Sequence, residues 1–330
     1  MILPWAGFLA FVLLLLALDL GVFNKKAHAP SIKEALGFAA FTVALALGFA
    51  GFVYVAYQSH WRGLGTAVDA VDHQVNGGRL AAVKFLTGYV IELSLSMDNV
   101  FMIALIFQHV KVPPTLQHRV LFWGILGALA MRGAMIGAGA ALVARYHWIL
   151  LLFGAFLVFT AVKMLLAREK EKTPNDAFIV RWLNKHFRVT KEFHGTKFQI
   201  VQKGKRYFTP LVVALVLVES TDLLFAVDSI PAIFAITTDA FLVFTSNVFA
   251  ILCLRSLYFG LAGMIQRFKY LNASLAVVLG FVGVKMLLGD RMRDALGANA
   301  NLWTLAVISL ILAAGAVASM VSDAKATKRG

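Results

Sequence analysis

The sequence predicts an all-α polytopic membrane protein of about nine transmembrane helices, containing an inverted-topology repeat of three helices each. Three observations lead there: a composition suited to lipid, a string of apolar segments near membrane-spanning length, and two stretches of chain that match in order. Of the 330 residues 60% are hydrophobic and 15% charged, and the mean hydropathy of +0.79 lies outside the range of ordinary soluble domains. Apolar segments fall at about 2–23, 33–57, 80–107, 119–144, 147–167, 209–236, 240–264, 273–289 and 301–321, each near the ~20 residues that cross a ~30 Å hydrocarbon core.

The first segment, MILPWAGFLAFVLLLLALDLG, has no basic n-region and no small-residue cleavage site, and its positive charges, Lys25 and Lys26, follow it. It is expected to be retained, with the N-terminus outside. That orientation places Lys33, Lys111, Arg119, the basic residues between Arg168 and Arg206, then Arg267, Lys269, Lys325, Lys328 and Arg329 on the cytoplasmic side. The opposite loops hold Arg62, Arg79, Arg145, Arg291 and Arg293, with Lys84 close by. Basic loops resist translocation, so most of the net charge of +14 is positive-inside bias. No basic stripe interleaved with exposed aromatics suggests nucleic acid. The C-terminus is expected in the cytoplasm.

Residues 168–208 form the one sizeable soluble stretch. AFIVRWLNKHF reads as a short amphipathic helix and FQIVQ-KGK-RYF as a hairpin, the whole a basic cytoplasmic loop suited to anionic headgroups. The single cysteine, Cys253, lies in an apolar segment, which excludes an internal disulfide and argues against a cysteine-based metal site. The histidines show no HExxH or HxxxH spacing.

Two stretches repeat. Glu92-LSLSM-Asp98-Asn99 aligns with Asp222-LLFAV-Asp228-Ser229, Arg132-GAMIGAG with Arg255-SLYFGLAG, and FLVFTAVKMLL (156–166) with VLGFVGVKMLL (278–288). Three helices per copy is an odd number, so the second copy must run inverted, as in many secondary transporters whose substrate site lies near the midplane. The chain then divides into an N-terminal two-helix segment with an external loop (1–78), a first repeat (79–167), the cytoplasmic loop (168–208), a second repeat (209–289), and a last helix with a basic tail (290–330).

Carboxylates at mid-bilayer are costly and mark functional sites by default, so Glu92, Asp98, Asp222 and Asp228 are expected to converge on one another or on a wet cavity. On an ideal helix six residues make about 600° of rotation, which leaves the two acids of one pair roughly 120° apart. Bringing them together calls for an unwound turn, and Pro231 offers a cause in the second copy. Asn99, Ser229 and Asn247 are candidate neutral ligands, and Glu219 and Asp19 add to the acid excess. Arg132 and Arg255 are candidate charge-compensating groups, or they could simply pair with the acids and stitch helices together. Lys163 and Lys285 read as snorkelling to opposite interfaces. An all-oxygen donor set suits Mg²⁺, Ca²⁺ or Mn²⁺. No nucleophile–base constellation points to an enzyme.

ELSLSMDNVF, QHRVLFWGILGAL followed by MRG, GAFLVFTAVKMLL, ESTDLLFAVDSIPAIFAITTDAFLVFTSNVFAILCLRSLYF and, in the first helix, LDLGVFNKKAH resemble the TerC/Alx family of bacterial integral membrane proteins over nearly the whole chain. The resemblance implies Mn²⁺ export across the bacterial inner membrane, with Mn²⁺ as transported ion, no bound organic cofactor, and Glu92, Asp98, Asp222 and Asp228 carrying the acidic motifs. Met97 stands where a valine is common. The resemblance also leaves an alternative, an accessory protein that delivers Mn²⁺ to exported metalloproteins through membrane or exported-protein partners. The topology is testable by itself: an impermeant thiol reagent on intact cells should label a cysteine placed at Asp294 and not one at Lys185, and the reverse pattern would break the inverted-repeat reading.

Overall fold

The computed structural model describes residues 2–18, 32–166, 181–183, 185–190, 192–202, 204–261, 270–289, 291–292 and 297–327. Among them are nine α-helices: α1 (Ile2–Leu18), α2 (Ile32–Gln58), α3 (Gly78–Val110), α4 (Pro114–Arg145), α5 (Ile149–Leu166), α6 (Pro210–Phe234), α7 (Ala240–Leu261), α8 (Leu271–Leu288) and α9 (Ala300–Thr327). Eight of these are long and apolar enough to cross a membrane. The ninth, α1, has 17 described residues, a length of about 25 Å, and the remainder of its expected span, 19–23, lies outside the described residues together with Asp19.

Local chemistry sets the boundaries. Lys111 ends α3 in the left-handed conformation (φ 59°), the Val112 N–H returns to the Phe107 carbonyl at 2.9 Å, and Pro114 opens α4 at its first turn, where proline costs no hydrogen bond. The connection from α3 to α4 is therefore only residues 111–113, shorter than the apolar pattern implies, because the prolines start a helix instead of prolonging a loop. Asp239 caps α7, its carboxylate accepting from the N–H groups of Phe241 (3.0 Å) and Leu242 (3.3 Å). In the soluble stretch β1 (Gln199–Gln202) and β2 (Lys205–Phe208) pair antiparallel, turning at Gly204 with φ 72°, as the KGK pattern suggests.

Two antiparallel contacts organise the bundle. Asn99 of α3 meets Asp222 of α6 while Gly88 meets Ile233, so one number falls as the other rises. In the α5–α8 seam, Gly154 faces Leu287, Leu157 and Val158 face Gly283, and Ala161 faces Gly280. A Cβ on Gly283 would lie 2.9 Å from the Gly154 carbonyl oxygen, so this backbone-to-backbone approach requires glycine. Such small-residue seams supply packing where lipid offers no hydrophobic drive. By contrast α4 runs parallel to α6, with Gly124 by Val218, Arg132 by Asp222 and Gly139 by Phe234. An aromatic core joins α1, α2, α3 and α7, with Phe49 and Phe249 centroids 4.8 Å apart and Phe8 and Phe85 alongside.

At the end of the bundle that carries residues 59–77, a buried polar clasp closes the fold. Lys84 Nζ reaches Asp69 and Asp72, each at 2.8 Å, and donates to Asn76 Oδ1 at 2.7 Å. Asp69 also accepts from the Thr238 N–H (3.0 Å) and hydroxyl (2.9 Å) and from the Thr237 hydroxyl. Asn301 donates to Asp72 at 3.0 Å. Lys84 is thus neutralised inside the protein and adds no free positive charge to its end. Lys163 is exposed, as a snorkelling lysine should be. Lys285 is not: its Nζ is buried without a hydrogen-bond partner, because residues 70–74 and the start of α9 cover the end of α8.

The clasp has a pH signature. Burial pushes the Asp69 carboxyl up, but the Lys84 ammonium and the hydrogen bonds from Lys84, Thr237 and Thr238 outweigh it and hold it down at about 2. A depressed carboxyl stabilises the fold above its unfolded value and loses that contribution as pH falls through the folded one. The advantage of the wild type over Asp69→Asn should therefore be full above pH 4, at roughly 2–3 kcal/mol, and vanish between about pH 4 and 2. Lys84→Met, which strands two buried carboxylates, should cost about 3–5 kcal/mol at pH 7. Unfolding in mixed micelles measures both, and a flat acid profile for the Asp69 pair would refute the clasp.

Candidate functional site

Four helices send polar side chains into the middle of the bundle, where Arg132 spans two turns of α3. Glu92 and Asn99, seven residues apart, share a face of α3, Arg132 comes from α4, Asp222 from the midpoint of α6 and Asn247 from α7. All five are 4% exposed or less. The Arg132 guanidinium grips Asp222 with a two-pronged fork, Nε to Oδ2 at 3.1 Å and Nη2 to Oδ1 at 2.8 Å, the geometry that makes arginine suited to carboxylates. Its Nη1 donates to Glu92 Oε1 and, at 3.4 Å, to Asn247 Oδ1. Asn99 Nδ2 donates to Asp222 Oδ1 at 2.7 Å.

The cluster is unbalanced in charge and in hydrogen bonding. One guanidinium faces two carboxylates, and Glu92 Oε2, Asn99 Oδ1, Ser96 Oγ, Ser229 Oγ and Asn247 Nδ2 are buried without partners. In the register set by Asn99 and Asp222, Glu92 stands level with Ser229, so two of these stranded oxygens belong to facing positions of α3 and α6.

The expected convergence of all four motif acids is not what the structure holds. Glu92 and Asp222 meet on Arg132, whereas Asp98 and Asp228, both half-buried, lie elsewhere. The reason is that α3 and α6 stay helical throughout. Pro231 sits in the last turn of α6 and produces no unwound segment near the acids. Six residues along a continuous helix is about 9 Å and turns a side chain roughly 120° away, so each outer acid leaves the face that carries its inner partner; in the antiparallel register Asp98 stands near the level of Asp222 and Asp228 near that of Glu92. Asp98 lies toward the hairpin end, where Asn272 of α8, its amide turned to donate, gives Nδ2 to Asp98 Oδ2 at 3.1 Å. Asp228 lies toward the clasp end. Glu219 is one turn of α6 from Asp222 on the hairpin side. It rests on the bare Cα of Gly127, where any Cβ would collide with the carboxylate, and its Oε2 has no partner. Among the described residues no three His, Cys, Asp or Glu side chains gather closely enough to hold a metal ion. The Arg255 side chain lies outside the described residues, and Met97 packs against the apolar α5–α8 core.

Residues 78–327 match the Integral membrane protein TerC family. The chain belongs to that family. The match opens at the first residue of α3 and takes in every helix that builds the cluster. A relative of similar length, an uncharacterized membrane protein of Myxococcus xanthus, is 46% identical over 98% of this chain and 96% of its own. The Alx proteins of Escherichia coli K12 and Salmonella typhi, which their names propose as membrane-bound redox modulators, are each 46% identical over 87% of this chain, covering 86% and 85% of their own lengths. No solved structure matches significantly.

Sequence reasoning missed Asn272, whose position in the apolar α8 carries no motif, and the clasp, whose members come from distant stretches. The Arg132 fork is directly testable. Arg132→Met leaves two buried carboxylates without a counter-ion and should cost about 3–5 kcal/mol. Adding Glu92→Gln and Asp222→Asn should recover most of that loss, since the three groups form one network. Unfolding in mixed micelles checks this, and additive penalties across the triple variant would contradict the network.

Proposed function

We propose that this TerC-family protein exports divalent metal, Mn²⁺ by the family resemblance, from the cytoplasm across the bacterial inner membrane, in exchange for H⁺. The observation that carries the reading is the Arg132 cluster: a buried guanidinium opposed by two carboxylates, with several oxygen acceptors left over at mid-membrane depth. Intramembrane acids in excess of their counter-ions mark ion pathways, and the surplus negative charge favours a bound proton or cation. Carboxylate, amide and hydroxyl oxygens are the donors a hard divalent ion takes.

In this reading Arg132 is a tethered counter-ion. Metal reaches Asp98 and Asn272 from the hairpin end, passes to Glu92 and Asp222 as the guanidinium gives way, and leaves past Asp228 toward the clasp end. Asn99, Ser229 and Glu219 supply further oxygens along the way, and Asn247 gives the displaced guanidinium a neutral acceptor. Protons returning to the vacated carboxylates complete the exchange, since metal ligands must be deprotonated to bind. Positive-inside bias supports an orientation with the hairpin and the C-terminus in the cytoplasm and the N-terminus and clasp outside. The antiparallel registers of α3 with α6 and of α5 with α8 support reading residues 79–167 and 209–289 as inverted copies, with Asp98 and Asp228 as symmetry mates facing opposite sides. A redox role like the one in the names of the Alx relatives would not run here through a dithiol within these 330 residues, which hold one cysteine.

Proteoliposomes with an internal pH dye and a Mn²⁺ gradient test this. Metal and protons should move in opposite directions, and Asp98→Asn and Asp228→Asn should each cut both fluxes tenfold or more. Metal binding without flux in the wild type would favour the accessory role, and Mn²⁺ flux without a pH change under clamped potential would remove the antiport.

A further inference from the structure

At the clasp end, residues 70–74, the start of α5, the end of α8 and the start of α9 line a partly open pocket of about 220 Å³. That volume holds several waters or one small polyatomic ion. Asp72, His73, Gln74, His147, Lys285 and Asn301 supply its polar wall. The decisive group is Lys285, whose ammonium is buried and has no hydrogen-bond partner. A buried cation without partners is expensive, and the acids in electrostatic range, Asp72 and Asp69, are already engaged. Asp72 accepts from Lys84 and Asn301 and from the Gln74 N–H at 3.3 Å, and Asp69 is filled by Lys84, Thr237 and Thr238.

Local sequence does not dictate this burial. Lys163 occupies the same Val-Lys-Met-Leu-Leu setting at the end of α5 and is exposed. Lys285 is enclosed because the 70–74 segment and α9 build a chamber around it, and the ammonium then disfavours a divalent cation as occupant.

We propose that this chamber is a binding site for a small oxyanion, phosphate or carboxylate, with Lys285 as its charged contact and His73, His147 and Gln74 as further donors from the wall. It is separate from the Arg132 cluster and does not depend on the transport reading. The ammonium supplies three donors, and charge-assisted bonds to an oxyanion are the strong kind.

The test uses the full chain in phosphate-free non-ionic detergent, with inorganic phosphate as probe and chloride at equal ionic strength as control. Phosphate should slow acylation of Lys285 by an amine reagent at least tenfold, read by mass spectrometry, and leave Lys163 unaffected. It should also raise the Tm of the wild type and of Lys163→Met and not that of Lys285→Met, because only a state-specific ligand stabilises by mass action. Citrate in place of phosphate tests the carboxylate form. Protection of Lys285 in phosphatidylglycerol nanodiscs without added phosphate, absent in a phosphate-free galactolipid, would assign the oxyanion to a lipid headgroup and support the site. Equal acylation of Lys285 under every condition, or equal stabilisation of Lys285→Met, overturns the proposal. Should Lys285→Met fail to fold, the acylation of wild-type protein decides alone.

Discussion

The fork between Arg132 and the carboxylates of Glu92 and Asp222 joins three helices at a depth where none of the three charges could stand alone. Everything else about the centre of the bundle follows from it. Because Asp222 must lie within reach of both Arg132 and Asn99, the register of α3 on α6 is fixed to the residue. Because α4 has to deliver a long side chain to that level, it packs beside α6 with Gly124 and Gly127 turned toward it. The bare Cα of Gly127 also leaves room for the Glu219 carboxylate one turn away. A one-residue slip of α3 would move Glu92 and Asn99 through about 100° and leave buried charges unmatched, so the polar network specifies a register that apolar packing in lipid would leave open.

The extent of each helix was legible because a membrane imposes a length: apolar runs near twenty residues have few other readings. Boundaries were less so. The apolar runs 80–107 and 119–144 leave a longer gap between them, and the left-handed Lys111 and the place of Pro114 in the first turn of α4 reduce it to a three-residue link. The identity of the central acids was legible from charge in an apolar run and from the likeness of residues 92–99 to residues 222–229. Their arrangement was not. The wheel already put Glu92 and Asp98 on different faces, but which neighbour each face meets is decided by tertiary packing, and an unwound turn is needed only if both acids must serve one point. They serve two. The clasp was hidden for a different reason: Asp69, Lys84 and Thr237 are each unremarkable in sequence, and their meaning appears only when three connections fold onto one end. Lys163 and Lys285 carry the point furthest, since the same five residues leave one ammonium exposed and enclose the other.

The clasp and the central cluster have the same charge arithmetic, two carboxylates to one base, yet they are different kinds of structure. In the clasp every polar side-chain atom of Asp69, Lys84 and Asn76 that is buried finds a partner, with hydroxyls and backbone N–H groups absorbing the surplus negative charge. Lysine suits that place because a compact ammonium can point its donors at three acceptors around it. Such a network is costly to break and offers nothing to a passing ion. The Arg132 cluster spends a planar fork on one carboxylate and a corner on the other, which leaves Glu92 Oε2 and Asn99 Oδ1 stranded. A half-satisfied network is a poor brace. It is, however, an arrangement in which a second cation would find oxygen ligands already desolvated and a resident cation already beside them, so under the proposed transport reading the deficit that weakens the centre as a structural element is what would let it exchange one positive charge for another.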